Sequence, residues 1–206
     1  DQTVCDTQTI PALSVTPDTG LEVTWYDDAA LTSEVAANSA TYTPTVAGTY
    51  YAIATNPADG CSSQATAVML TINVSPDIST ADTPAICEGD IAGFDLAGIT
   101  ITDANTTSGT ITFHDATPAD ATNELASTVV TPSATTTYYI LSTANGCSDE
   151  TSVTVTVNAL PTITPATAAC APDLLTYAVD ITTAAGAIIT STAGTVTDNG
   201  AGSFTI

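Results

Sequence analysis

Apolar and polar residues alternate with a period of two along most of this chain. Leu21, Val23 and Trp25 interleave with Glu22, Thr24 and Tyr26, and Ile111 and Phe113 interleave with Thr112 and His114. Val68, Leu70, Ile72 and Val74 make a third apolar face, and Val153, Val155 and Val157 a fourth, against Ser152, Thr154 and Thr156. A period of two places successive side chains on opposite faces of an extended strand, so each stretch predicts a half-buried β-strand. Turn signals fall between them: PDTG before Leu21, NPADG before Cys61, ANG before Cys147 and DNGAG before Ser203. No stretch of ten residues keeps a helical period. Several short strands separated by such turns predict an all-β, antiparallel β-sandwich architecture.

The pattern recurs. WYDD at Trp25 aligns with FHDA at Phe113, and TYYAIAT at Tyr50 with TYYILST at Tyr138, both at an offset of 88. Cys5 to Cys87 is 82, Cys61 to Cys147 is 86, and Val68 to Val153 is 85. A fixed order of landmarks with a small drift describes one fold repeated with loop insertions. Asn73 with Pro76 and Asn158 with Pro161 punctuate the ends. The expected units are residues 1–75, 76–158 and 159–206. The third restarts at Cys170 and lacks the aromatic and Tyr-Tyr landmarks, so it is expected to be incomplete and of a somewhat different type.

Charge narrows the function. The 206 residues include 22 Asp and Glu, one His and neither Lys nor Arg, for a formal charge of −22. Ordinary composition would supply about twenty basic residues. Without them the chain cannot neutralise phosphates, which excludes nucleic acids and anionic membrane surfaces as partners. Arginine clamps and catalytic lysines are excluded as well. With 44% hydrophobic residues the chain should nevertheless fold. Its carboxylates must then rest on water, backbone N–H groups, hydroxyls or bound cations. No apolar run of about 20 residues is present to span a membrane. Starting at Asp1 and ending in strand-like SFTI, the sequence reads as an excerpt of a longer, exported chain. Two causes are compatible with the missing cations: resistance to trypsin-like proteases, and mutual repulsion that keeps a thread extended.

Candidate chemistry is sparse. His114 beside Asp115 is the one conventional proton shuttle, but no G-x-S-x-G elbow or zinc-type His pair accompanies it. Its alignment with Tyr26 predicts an ordinary histidine on an outward strand face, and no enzyme is expected. Asp27-Asp28, Glu88 with Asp90, and Asp149-Glu150 are acidic groups without the calcium-loop pattern. No cofactor is expected; the one cation hypothesis is Ca²⁺ at the first junction, near Asp77, Asp82, Glu88 and Asp90. Tyr26, Tyr42, Tyr51 and Tyr139 could form a sugar-stacking surface, although tyrosines on strands more often make cross-strand pairs. Asn73-Val74-Ser75 and Asn105-Thr106-Thr107 match the glycosylation sequon, here read as coincidence. The five cysteines favour an oxidising compartment; four of them allow three pairings and one is left over.

The order of a cysteine, VTWYDDAA, TYTPTVAGTYYA, GC and AVMLTINV resembles the immunoglobulin-like (Ig-like) repeats of giant surface adhesins of Bacteroidota exported by the type IX system, including gliding-motility adhesins of the SprB type. CAPDLLTYAVDI and AGTVTDNGAGSFTI resemble a second repeat type of the same adhesins. The resemblance implies tandem Ig-like sandwiches in an elongated array, with Tyr50 and Tyr138 facing inward and Tyr51 and Tyr139 outward. It implies structural disulfides Cys5–Cys61 and Cys87–Cys147, each tying a unit's first strand to the turn entering its last, with Cys170 paired beyond residue 206 or free. By the same resemblance the chain is a stalk or filament segment at the cell surface, holding an adhesive region away from the cell and transmitting force, as in gliding. The implied partners are neighbouring repeats, secretion or motility machinery and surface glycans. The alternative is that these units are themselves the module that grips a glycan or protein.

Overall fold

The computed structural model describes the chain except residues 91, 165–167, 171–176, 184–185, 187, 193, 201–202 and 206; for 163–164, 168–170 and 177–178 only the backbone is described. The chain is all-β, and its contacts gather into two compact units. One comprises Asp1–Pro84, Phe94–Val130 and Thr137–Val155, and the other Ala85–Gly93, Thr131–Thr136 and Thr156–Ile206.

Within the first unit, residues 1–75 form seven strands: β1 (Gln2–Cys5), β2 (Leu13–Ser14), β3 (Glu22–Tyr26), β4 (Glu34–Ala36), β5 (Thr41–Tyr42), β6 (Gly48–Thr55) and β7 (Thr66–Asn73). A five-stranded sheet runs β1-β7-β6-β3-β4, and β2 pairs with β5 in a second, smaller sheet. The alternating residues meet between them. Leu13, Val23, Trp25, Tyr50, Ala52, Val68 and Leu70 form the buried cluster, with Trp25 and Leu13 fully enclosed. The polar tips in this core are satisfied, as burial demands. Trp25 donates from Nε1 to the Ser39 carbonyl at 2.9 Å, and the Tyr50 hydroxyl to the Val46 carbonyl four residues upstream at 2.8 Å. The latter is the tyrosine corner of Ig-type sandwiches.

The sheet is antiparallel except at one edge, where β1 lies parallel to β7 with Cys5 opposite Asn73. That direction decides the cysteine chemistry below.

The second repeat contributes β8 (Ile78–Ser79), β9 (Ala85–Cys87), β10 (Phe94–Asp95), a 3₁₀ turn at Leu96–Gly98, β11 (Thr102–Asp103), β12 (Thr110–His114), β13 (Val129–Val130), β14 (Thr136–Ala144) and β15 (Cys147–Asn158). Its main sheet runs β12-β14-β15-β9, with β10-β13 and β8-β11 as short pairs. Leu96, Phe113, Tyr138, Ile140, Val153 and Val155 are buried. β9 lies parallel to the end of β15, with Cys87 opposite Asn158, as β1 does to β7. The ANG signal makes the β14–β15 turn, in which Asn145 and Gly146 both take positive φ, 51° and 81°. Such a turn follows the right-handed twist of the strands it joins.

In the other unit the remaining strands are β16 (Ile163–Thr164), β17 (Ala168–Cys170), β18 (Tyr177–Thr183), β19 (Thr197–Gly200) and β20 (Ser203–Thr205). They form a sheet in the order β16-β18-β20-β19, with β17 also on β18. Phe204 is buried opposite Ile181.

Candidate functional site

The segment that joins the first two repeats, Ser75–Pro76–Asp77–Ile78, lies wholly within the first unit and is held at every backbone N–H. Ser75, Pro76 and Ile78 are buried. A buried connection must satisfy its backbone polar groups, and a carboxylate meets each of its three N–H groups. Ser75 N–H donates to Asp6 Oδ1 at 2.9 Å, Asp77 N–H to Asp103 Oδ1 at 3.1 Å, and Ile78 N–H to Asp149 Oδ2 at 2.7 Å. Pro76 has no N–H to satisfy. The Ser75 carbonyl accepts from Asn105 Nδ2 at 3.0 Å, and the Asp77 carbonyl from Ala104 N–H at 2.9 Å.

One covalent bond closes the joint. Cys5, at the end of β1, is disulfide-bonded to Cys147, the first residue of β15, with Cα atoms 5.6 Å apart across a sequence separation of 142. Beside it Asn73 donates from Nδ2 to the Asn145 carbonyl at 2.7 Å. The β14–β15 turn of the second repeat is thereby clasped to the adjacent strands β1 and β7 of the first.

This corrects the expected pairing of Cys5 with Cys61 and Cys87 with Cys147. Parallel edge strands are the reason. Cys5 sits against Asn73, whereas Cys61 precedes Thr66 at the other end of β7, about 23 Å of strand away. Cys87 sits against Asn158, at the opposite end of β15 from Cys147, about 36 Å along that strand. Cysteines can be bridged only when their Cα atoms come within about 7 Å. Cys61 and Cys87 are exposed free thiols. The side chain of Cys170 lies outside the described residues.

In a chain without Lys or Arg, the carboxylates take hydrogen bonds in place of ion pairs. The Thr107 hydroxyl, with the N–H groups of Asp77, Thr107 and Asn105, lowers the Asp103 carboxyl to about 2. Hydrogen bonds from the Ser75 hydroxyl and Ser75 N–H hold Asp6 below its ordinary value. Asp28 is lowered in the same way by Ser33 N–H and the Thr32 hydroxyl. Glu150 accepts from the Thr117 hydroxyl and Ala119 N–H, both at 2.6 Å, fixing that loop.

Of the acidic residues named for Ca²⁺, Asp82 accepts from Thr100 N–H at 2.6 Å and Asp90 from Ala92 N–H at 2.9 Å, while Asp77 and Glu88 contribute backbone groups to hydrogen bonds. Among the described residues no three His, Cys, Asp or Glu side chains are gathered as metal ligands.

His114 departs from expectation. It is 1% exposed, on no outward face. The segment after β12 turns back over it, pairing His114 with Glu124, Asp115 N–H with the Asn123 carbonyl, and Leu125 N–H with the Phe113 carbonyl. Thr112 Oγ1 lies 2.8 Å from Nε2 and Asn123 Oδ1 lies 2.9 Å from Nδ1. Because Asn123 Oδ1 can only accept, we assign the proton to Nδ1, and Nε2 then accepts from the Thr112 hydroxyl. Both ring nitrogens are occupied in a structural role.

The tyrosines divide by facing. Tyr50 and Tyr138 are buried at 4% and 7%, and burial raises both phenols above their ordinary value. Tyr51 and Tyr139 are half-buried and pair across strands with Tyr26 and His114. Tyr42 packs at a tilt against the first core, 5.3 Å from Tyr50 and 6.1 Å from Trp25 between ring centroids.

The joint residues that sequence reasoning passed over are Asp6, Asp103, Asn105 and the hydrogen-bonding role of Asn73. Two of them were visible as sequon asparagines, and both side-chain amides are engaged in the joint.

Among solved structures the chain is similar to a fragment of the titin I-band, at 10% identity and TM-score 0.42, covering 100% of this chain and 84% of that one. It is similar to extracellular domains 3–5 of Drosophila OTK at 12% identity and TM-score 0.32, covering 100% and 83%. For immunoglobulin domains 1–4 of Sidekick-1 the values are 13% and 0.29, covering 89% and 56%. No curated protein matches the chain. Residues 1–76 match the family described as Ig-like domain, CHU_C associated, so the first repeat is an Ig-like domain, and the second is built on the same strand plan with the same parallel edge.

Proposed function

We propose that this chain is a spacer segment of a bacterial cell-surface adhesin, outside the cell, holding an adhesive region at a distance and transmitting force along the polypeptide. It has the character of a type IX exported adhesin stalk, including those that serve gliding. The first repeat's match to a CHU_C-associated Ig-like domain supports the setting. A disulfide supports an oxidising compartment, and no helix among the described residues is long and apolar enough to cross a membrane.

One observation carries the mechanical reading. Tension applied between the ends of the chain enters at β1, crosses the Cys5–Cys147 bond and leaves through β15, so the residues between these cysteines are out of the stretched path. The first repeat after Cys5 and the second up to Cys147 are thereby shielded from extension, and the joint cannot open while the bond is intact. An enzyme has no need of this arrangement; a tether does.

Single-molecule pulling between the termini tests it. The 142-residue separation corresponds to about 500 Å of extended chain. Oxidised protein should withhold that length, and protein treated with a thiol reductant should release it. Equal extension in both states removes the reading.

A further inference from the structure

The joint between the first two repeats is built from parts that each repeat carries in two halves. One half is an edge strand ending in cysteine, followed by an acidic residue and laid parallel to a last strand ending in asparagine: Cys5, Asp6 and Asn73. The other half is the closing hairpin turn with a cysteine directly after its glycine: Asn145, Gly146 and Cys147. The first repeat also carries the second half, in Asp59, Gly60 and Cys61, and the second repeat also carries the first, in Cys87, Glu88 and Asn158.

The free Cys87 half has the backbone geometry of the engaged Cys5 half, and the free Cys61 turn shares its glycine conformation with the engaged turn. Asp6 N–H donates to the Asn73 carbonyl at 2.9 Å, and Glu88 N–H to the Asn158 carbonyl at 2.8 Å. Gln8 N–H returns to the Cys5 carbonyl at 2.9 Å, and Asp90 N–H to the Cys87 carbonyl at 3.2 Å. Gly60 and Gly146 share a positive φ, 74° and 81°, before their cysteines. Cys147, the first residue of β15, is 2% exposed in the joint, whereas Cys61, which precedes β7, and Cys87 are exposed.

From this we propose that Cys87 with Glu88 and Asn158 is an open clasp for the closing-hairpin cysteine of a following Ig-like repeat, and that Cys61 is the complementary half for a preceding one. Disulfides then run from each repeat to the next, never within a repeat, and every joint is bridged twice, by the peptide and by a disulfide. The occupant is a repeat of this chain's own kind. Asn158 stands opposite Cys87 as Asn73, which holds the incoming turn, stands opposite Cys5.

The bond forms by thiol–disulfide exchange with a disulfide oxidant of the extracytoplasmic compartment. The two cysteine S–H bonds break, the oxidant's S–S bond takes up two electrons and those two protons to leave as two thiols, and one new S–S bond joins the repeats. The inference rests on the spacer reading for its purpose but not for its test.

The test inserts a second copy of residues 74–158 directly after Asn158 in the full chain, the copy carrying Cys87→Ser and Ser148→Thr so that its peptides are distinct. After oxidative folding, cleavage at Asp and Glu and mass spectrometry without reduction should find Cys5 joined to the original Cys147. Cys87 should be joined to the cysteine of the copy's closing turn and lost from the alkylatable thiols, while Cys61 stays alkylatable. Cys87 still fully alkylatable, or bonded to Cys61 or to the original Cys147, overturns the proposal. A copy that cannot fold there counts equally against it, since the clasp is claimed to accept such a repeat. A second measurement needs no insertion: in Cys5→Ser protein both Cys147 and Cys87 should be alkylatable, and a Cys87–Cys147 bond would refute the rule. Failure on either arm leaves the pulling experiment, and the spacer reading it tests, untouched.

Discussion

Asn73 donates its side-chain amide to the carbonyl of Asn145 across 2.7 Å, linking the last strand of the first repeat to the closing turn of the second beside the Cys5–Cys147 bond. The hydrogen bond and the disulfide act on the same joint and should be coupled. Asn73→Ala is expected to cost about 1 kcal/mol in the oxidised protein. Removing the cross-link by Cys5→Ser with Cys147→Ser should cost about 2–5 kcal/mol, the chain-entropy value for so long a loop lying at the top of that range. Chemical denaturation of the single and combined variants checks both. Strict additivity would show that the two contacts do not share one joint.

The acid limb of stability should report on the joint carboxylates. Asp103 is held at about 2, well below the ordinary carboxylate range, so its contribution is complete above pH of about 4 and is lost as the pH falls toward 2. Asp6 is shifted in the same direction and adds to the same limb. Melting temperature followed from neutral pH downward should decline in that window, and Asp103→Asn should flatten the decline. An unchanged acid limb in Asp103→Asn would show that Thr107 and Asp77 do not hold the charge.

Salt should stabilise this protein. Twenty-two carboxylates with no Lys or Arg leave repulsion as the dominant surface term. The screening length falls to about 10 Å at 0.1 M salt, so calorimetry should show the melting temperature rising from low to moderate NaCl concentration. A fall would mean that attractive charge pairs outweigh repulsion.

Two substitutions separate packing from polar satisfaction in the first core. Trp25→Ala empties the centre of the sandwich and is expected to cost about 3–5 kcal/mol. Tyr50→Phe keeps the ring and deletes only the bond to the Val46 carbonyl, for about 1 kcal/mol. Equilibrium unfolding by Trp25 fluorescence reads the second; circular dichroism reads the first.

His114→Ala should act on structure. It strips partners from the Thr112 hydroxyl and Asn123, at about 1–3 kcal/mol. It should also speed cleavage by an Asp- or Glu-specific protease at Asp120 or Glu124, in the segment that folds over the ring. Unchanged cleavage would mean that the segment is held without the histidine.

Much of the fold is legible in local pattern. Val23 and Trp25 point inward because they alternate with polar neighbours, and Tyr50 and Tyr138 do so while Tyr51 and Tyr139 do not. The same rule failed at His114, because the polar face of β12 is covered by a segment that follows it; alternation describes a strand and says nothing of what later folds over it. The cysteine pairing failed for a related reason. A first strand and a last strand can lie side by side in either direction, and the parallel choice carries Cys5 to the far end from Cys61.

The chain's own composition and periodicity thus determine that it is β throughout, which faces are buried, that one pattern occurs twice, and that carboxylates must find N–H and hydroxyl partners for want of cations. Those are properties of neighbours along the chain. Which cysteine meets which, how the Ser75–Ile78 segment is gripped by Asp6, Asp103 and Asp149, and the enclosure of His114 depend on strand direction and on residues far apart in sequence. Long-range packing alone sets those, and so it was the tertiary structure that turned two similar sandwiches into a cross-linked pair.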